Sequence, residues 1–207
     1  APTEIYTLSL HDALPISSNV HKNKSFLKEK RGERVASAAL TLVDDGTLRS
    51  GLGTAPFDGE GIPCSRTNLL VGGVVGSWLY NLKYARIDGV VSTGNASRSL
   101  SGVPAVDFSN LRMLPGKWTP QDLLLQTGRG LYVTELLGLH TMNPVSGDFS
   151  LGIKGARIQG GEIREPVGGM TVAGNLKDLL HSIDLVGNDF KFFGSIGSCS
   201  KIGRAHV

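Results

Sequence analysis

The sequence predicts an α+β domain made mainly of antiparallel sheet, with hairpins and two or three short helices. Three observations carry that expectation. Glycine is abundant, 28 of 207 residues, and aromatics are scarce at 6%, as in chains with many tight turns between short strands. Two apolar stretches are split by Gly-Gly pairs, at 72–73 and at 160–161, where a two-residue primed turn suits strand twist. Helix-opening signals occur only before short segments, and none alternates with strands as a βαβ unit would require.

Val35 to Val43, rich in Val, Ala, Thr and Leu, reads as a strand. It runs into an Asp44-Asp45-Gly46-Thr47 turn in which Gly46 is expected to take positive φ. Gly51 to Pro63 holds too many Gly and Pro residues for regular structure and reads as a surface loop. Thr67 to Val71 and Val74 to Tyr80 flank Gly72-Gly73 as a hairpin. Asn81 then caps a short helix through Arg86, with Leu82 and Ala85 on one face. Ser92 to Asn110 shows little periodicity.

Thr119 as N-cap, Pro120 at the first helical position and Asp122 at the third open a helix over Leu123, Leu124 and Leu125 that closes at Gly128. Gly130 to Gly152 has a strand-like start, a turn-rich middle holding His140 and Asn143, and a second strand start, so it reads as a loop presented by a sheet. Phe149 to Ile158 and Ile163 to Val167 form a hairpin around Gln159-Gly160-Gly161-Glu162. Asn175 opens a last helix, with Leu176, Leu179, Leu180 and Ile183 apolar and Gly187 as its stop.

Both ends read differently. Residues Thr3 to Ile16 and Ile202 to Val207 match in-frame translations of the two DNA adapters ligated to fragments for short-read sequencing. The expected organisation is therefore 1–16 and 202–207 adapter-derived, 17–34 a charged segment ending a missing upstream part, and 35–201 a domain fragment. Lys22 to Arg34 mixes Lys and Arg with Glu29 and Glu33 and reads as solvated.

Composition excludes several classes. A formal charge of +3 without a basic stripe gives no support to nucleic-acid binding. The longest apolar run, Leu69 to Tyr80, is broken by glycines and too short to span a bilayer, so no membrane role is expected. Cys64 and Cys199 form neither a framework nor a CxxC pair, and free thiols in a reducing cytoplasm are expected. Outside the ends the histidines are His21, His140 and His181, and none stands in a His-Glu-x-x-His run. No Gly-x-Ser-x-Gly elbow occurs, and Gly72-Gly73-x-x-Gly76 lies in a hairpin instead of opening a helix, which disfavours a phosphate cradle. Asp58 and Glu60 could serve as an acid and base pair, although acidic loop residues more often satisfy turns. No residue of this chain is assigned a catalytic or metal-binding role. His140 and Asn143 in the central loop, and Asn95 and Arg98 in the irregular segment, are the candidates for contacting a substrate or partner.

The motifs Asp44-Asp45-Gly46-Thr47, Phe57-Asp58-Gly59-Glu60-Gly61-Ile62-Pro63, Ser92-Thr93-Gly94-Asn95-Ala96, Leu114-Pro115-Gly116, Ser146-Gly147-Asp148-Phe149-Ser150, Ala173-Gly174-Asn175 and Val186-Gly187-Asn188-Asp189 follow one another in a fixed order. In that order the chain resembles the C-terminal domain of the TldD/PmbA family over nearly all of Val35 to Ser200. The resemblance implies a cytoplasmic, two-subunit zinc metalloprotease acting on unfolded peptides. Gly130-Leu131-Tyr132-Val133 and Ala173-Gly174-Asn175 look like the PmbA/TldE side, the subunit that lacks the zinc motif and pairs with a TldD-like homologue. Zinc would then sit in the partner subunit. Two alternatives stay open: a zinc-bearing parent whose His-Glu-x-x-x-His lies in the missing upstream part, with Cys199 as a further ligand, and a non-enzymatic protein-interaction modulator.

Overall fold

A computed structural model describes residues 16–138, 141–143 and 145–203 of the chain. The fold is α+β and mainly antiparallel. Its helices are α1 (Ser17–His21), α2 (Leu82–Asp88), α3 (Pro120–Thr127) and α4 (Leu176–His181). One six-stranded sheet has the order β11 (Lys191–Phe193), β12 (Ile196–Ser198), β6 (Leu111–Met113), β1 (Leu42–Asp45), β2 (Arg66–Val71), β3 (Val74–Val75). Only the β12–β6 pairing in it is parallel. A separate three-stranded meander joins the long strands β7 (Arg129–Leu137), β8 (Asp148–Gln159) and β9 (Glu162–Asn175). Two small ribbons complete the set, β4 (Ala96–Ser97) with β5 (Ala105–Val106), and β10 (Ile183–Val186) with β13 (Lys201–Gly203).

The local chemistry of the expected elements recurs. Gly72 and Gly73, at φ 54° and 76°, make the tight β2–β3 turn, and Gly160 and Gly161, at 62° and 77°, make the β8–β9 turn. Asn81 caps α2 by accepting from the Tyr84 N–H, and Thr119 with Asp122 forms a capping box on α3.

Four expectations are corrected. The strand expected from Val35 is regular only from Leu42, because the preceding stretch spends its backbone bonds on loops; Val35 and Ala36 donate to the Gly73 carbonyl. Gly46 is not among the positive-φ residues; a side chain there would strike Cys64, which is why glycine is needed. The last helix stops at His181, and Ile183 to Val186 cross into β10, where β-branched residues pair with β13 instead of continuing a helix. Ser92 to Asn110 contains the β4–β5 ribbon, too short to show a period of two.

The core lies on one face of the six-stranded sheet. Leu42, Leu70, Leu111 and Met113 point into it from the strands; Leu176, Leu180, Ile183 and Val186 close it from the α4–β10 side. Leu27, from the Lys22 to Arg34 stretch read as solvated, is also buried there, as is Val20 just before it. Their charged neighbours remain outside, as amphipathic segments allow. Among the described residues no helix is long and apolar enough to cross a membrane.

Candidate functional site

Asn95 is the best-anchored of the residues singled out from sequence. It is buried between β1 and the β4 ribbon, and its amide donates to the Asp44 carboxylate at 2.7 Å and to the Asp107 carbonyl at 3.1 Å. Its own carbonyl accepts from the Thr93 hydroxyl at 2.7 Å. Asp44, fully buried, also accepts from the Ser109 N–H at 2.8 Å. Beside it, Asn110 bridges the Asp45 carbonyl, the Thr54 hydroxyl and the Gly53 N–H, and Arg112 pairs with Asp45 at 3.1 Å. Burial pushes the Asp44 carboxyl up to about 6, against the opposing hydrogen bonds from Asn95, Ser109 and Asn110. A carboxyl in that range could trade protons near neutrality, but this one has no exposed surface to meet a substrate. The network welds β1 to the loops over residues 92–110.

Asp58 and Glu60 are likewise committed. Asp58 accepts from the N–H groups of Glu60, Ile62 and Ala96, closing its loop onto β4. Glu60 accepts from the Leu82 N–H at the first turn of α2. An acid and base pair at these positions is replaced by a turn and a helix cap. Arg98 follows β4 on the exposed loop leading to β5.

The β7–β8 connection carries the other two candidates. His140 lies outside the described residues. Asn143 forms the turn itself: its side chain accepts from the N–H groups of Val145 and Ser146 at 2.9 and 3.1 Å. Thr141, Asn143, Ser146, Asp148, Phe149 and Ser150 line an open depression of about 450 Å³. Asn143 thus sits on the β7–β8 turn, while Asn95 belongs to the Asp44 network, so the two do not share one site. Asn175, where β9 passes into α4, donates its amide to Asp148 at 2.8 Å.

Sequence reasoning left a third cluster unassembled. Asp189 accepts from both the N–H and the hydroxyl of Ser200, at 2.9 and 2.5 Å. The Lys201 ammonium turns inward to within 3.4 Å of the buried Ser198 hydroxyl, and burial lowers it to about 8. Cys199 belongs to the apolar core, only 1% exposed, and burial followed by the Asp189 charge pushes its thiol up to about 11. The same two causes raise the Tyr132 phenol on β7. The signal available in sequence was the Asp189 spacing from Ser198-Cys199-Ser200-Lys201, which means little until β12 and β13 fold it back.

The chain matches a family model described as the PmbA/TldA metallopeptidase C-terminal domain over residues 11–204. The chain belongs to the PmbA/TldD metallopeptidase family. Among curated relatives, Metalloprotease PmbA of Escherichia coli is 34% identical over 173 residues, covering 84% of this chain and 36% of that protein. A metalloprotease of Methanothermobacter thermautotrophicus is 32% identical over 206 residues, covering 98% of this chain and 44% of its own length. The chain therefore spans less than half of these relatives. A crystal structure from Thermotoga maritima, described as a putative modulator of a DNA gyrase, superposes with a TM-score of 0.87 at 37% identity over 96% of this chain and 45% of that one. TldE of Thermococcus kodakarensis gives 0.86 at 27% identity, covering 96% and 46%.

A metallopeptidase family implies a metal ion. Among the described residues no three His, Cys, Asp or Glu side chains converge where they could hold one. Cys199 is core-packed and held as the thiol, whereas a metal ligand must be the thiolate. In the described part of this PmbA/TldD-family chain the donors present do not fit a metal centre.

Proposed function

We propose that the parent protein is the PmbA/TldE-type, non-zinc subunit of a cytoplasmic peptidase assembly, docking on a zinc-bearing TldD-like homologue and helping to enclose unfolded peptide. The single observation that carries the reading is the meander: β9 runs for 14 residues at its edge and is exposed along most of its length. Its first half bears Glu162, Arg164, Glu165 and Pro166, the charges and proline that keep edge strands from pairing, whereas Gly168 to Gly174 has neither. An extended peptide added there would be held through backbone hydrogen bonds, with little demand on its sequence. The burial of Cys199 supports placing zinc on the other subunit.

The test is reconstitution. Full-length protein alone is expected to bind no zinc and cleave no unfolded peptide, and mixing with its TldD-like partner is expected to restore both. Cleavage by the isolated, metal-loaded protein overturns the reading.

A further inference from the structure

Given β9 as the peptide platform proposed above, on which the inference rests, we infer that the chain seated there is one with apolar side chains at alternate positions, the pattern of a core-facing strand from an unfolded protein. Directly opposed residues of an antiparallel ladder share a face, and on one face of the meander they form apolar rows that run toward its open edge. Leu136, Ile153 and Met170 stand side by side across the three strands, and Leu151 stands beside Val172. Phe149 is opposite Gly174, where an added side chain would meet its ring at 3.4 Å. Burial falls off outward along these rows. Ile153 and Leu151 are 1% and 5% exposed, whereas Met170 and Val172 at the edge are only half-buried.

The other face differs where it reaches β9. There Thr171 and Ala173 are exposed and lie opposite Gly152 and Ser150, so no apolar row arrives at the edge. A strand added beside β9 would set alternate side chains against Met170, Val172 and the bare Gly174, completing rows that now stop short. Its intervening side chains would stand beside Thr171 and Ala173 in water. Both ends of the strip are marked. On one side Met170 pairs with Ile153 and Val167 with Gly155, so the register skips Gly168 and Gly169 in a bulge, with Gly169 at φ 69°, and Pro166 beyond it has no N–H to offer. On the other, Asn175 spends its side chain on Asp148 and the Ser146 carbonyl as the chain turns into α4. Among the described glycines, Gly168 alone has neither positive φ nor any atom within 4 Å of an added side chain, so nothing in the domain requires it to be bare. Clearance for a bound backbone leaving the edge accounts for it.

Equilibrium binding tests it on the full-length parent reconstituted with its TldD-like partner, with a chelator present so that nothing is cut. Two short, end-blocked fluorescent peptides of equal Val and Ser content are compared, one alternating the two residues and one carrying its valines in a single run. The alternating peptide is expected to bind about threefold to tenfold more tightly, the worth of one or two further apolar cross-strand pairs. In Val172→Thr, which keeps a β-branched side chain at the edge but ends its row in a hydroxyl, that advantage should shrink. Equal affinity for the two peptides overturns the inference and leaves the peptide platform standing, whereas binding of neither removes both. An advantage undiminished in Val172→Thr also overturns it, since the preference would then belong to another part of the assembly.

Discussion

Asn95 donates a 2.7 Å hydrogen bond to Asp44 across 51 residues of sequence. It is one of the contacts, with those of Ser109 and Asn110, through which the loops after α2 are tied to the central strand of the main sheet. Removing the donor leaves a buried carboxylate short of a partner, at a typical cost of about 1–3 kcal/mol. Asn95→Ala is expected to lose that much stability in urea denaturation. Asn95→Asp should lose more at pH 8 than at pH 5, since two buried carboxylates cannot both ionise cheaply.

Asp44 also sets a pH dependence. Its folded pKa, about 6, lies above the ordinary 3.8. The native state therefore holds a proton that the unfolded chain has released. The resulting stabilisation is complete below about 4 and is lost as pH rises through about 6, with a span of at most about 3 kcal/mol. Comparing the chain with Asp44→Asn between pH 4 and 7 isolates the effect. The parent should weaken relative to the variant as pH rises, and parallel curves would show that Asp44 does not titrate there.

Cys199 is expected to be silent toward a thiol reagent in the native chain at pH 8, because it is core-packed with its pKa near 11. It should react at once in denaturant. Cys199→Ser places a hydroxyl in the apolar core and should cost about 1–3 kcal/mol; an unchanged urea midpoint would argue against a core role.

Gly155→Ala is expected to damage the meander selectively. A methyl at Gly155 would overlap the Tyr132 carbonyl on the neighbouring strand, and backbone cannot yield as a flexible side chain can. Hydrogen exchange should accelerate in β7 and β8 while β1, β2 and β6 keep their protection.

Asn81 is both the α2 cap and the tether to Pro104. Asn81→Ala should cost about 1–2 kcal/mol for the cap and its buried partners together, whereas Asn81→Asp retains the acceptor and should recover part of the loss. Melting curves of the two variants check this order.

Much of the fold was legible in sequence where the signal is local. The Gly-Gly turns, the Asn81 cap and the Thr119 to Asp122 box each work within four residues, and all three stand where expected. The segments misread were those whose state depends on distant partners: Val35 to Thr41, the α4–β10 boundary, and the short β4–β5 ribbon. Of the candidate site residues, Asn143 takes the local turn role that Asn chemistry favours, while nothing near Asn95 in sequence signals the carboxylate it serves.

By itself the sequence determined the fold class, the turn and cap positions and, through the order of its short motifs, the family. These rest on φ preferences, side-chain to backbone bonds and spacing, which need no distant partner. The tertiary structure alone decided that Asp44 and Asp45 face inward with Asn95 and Arg112, and that Cys199 is a core residue. The physical reason is that burial and its electrostatic consequences belong to a three-dimensional neighbourhood. Whether an aspartate is a solvated turn or a buried acid with its pKa near 6 depends on which strands and loops close over it.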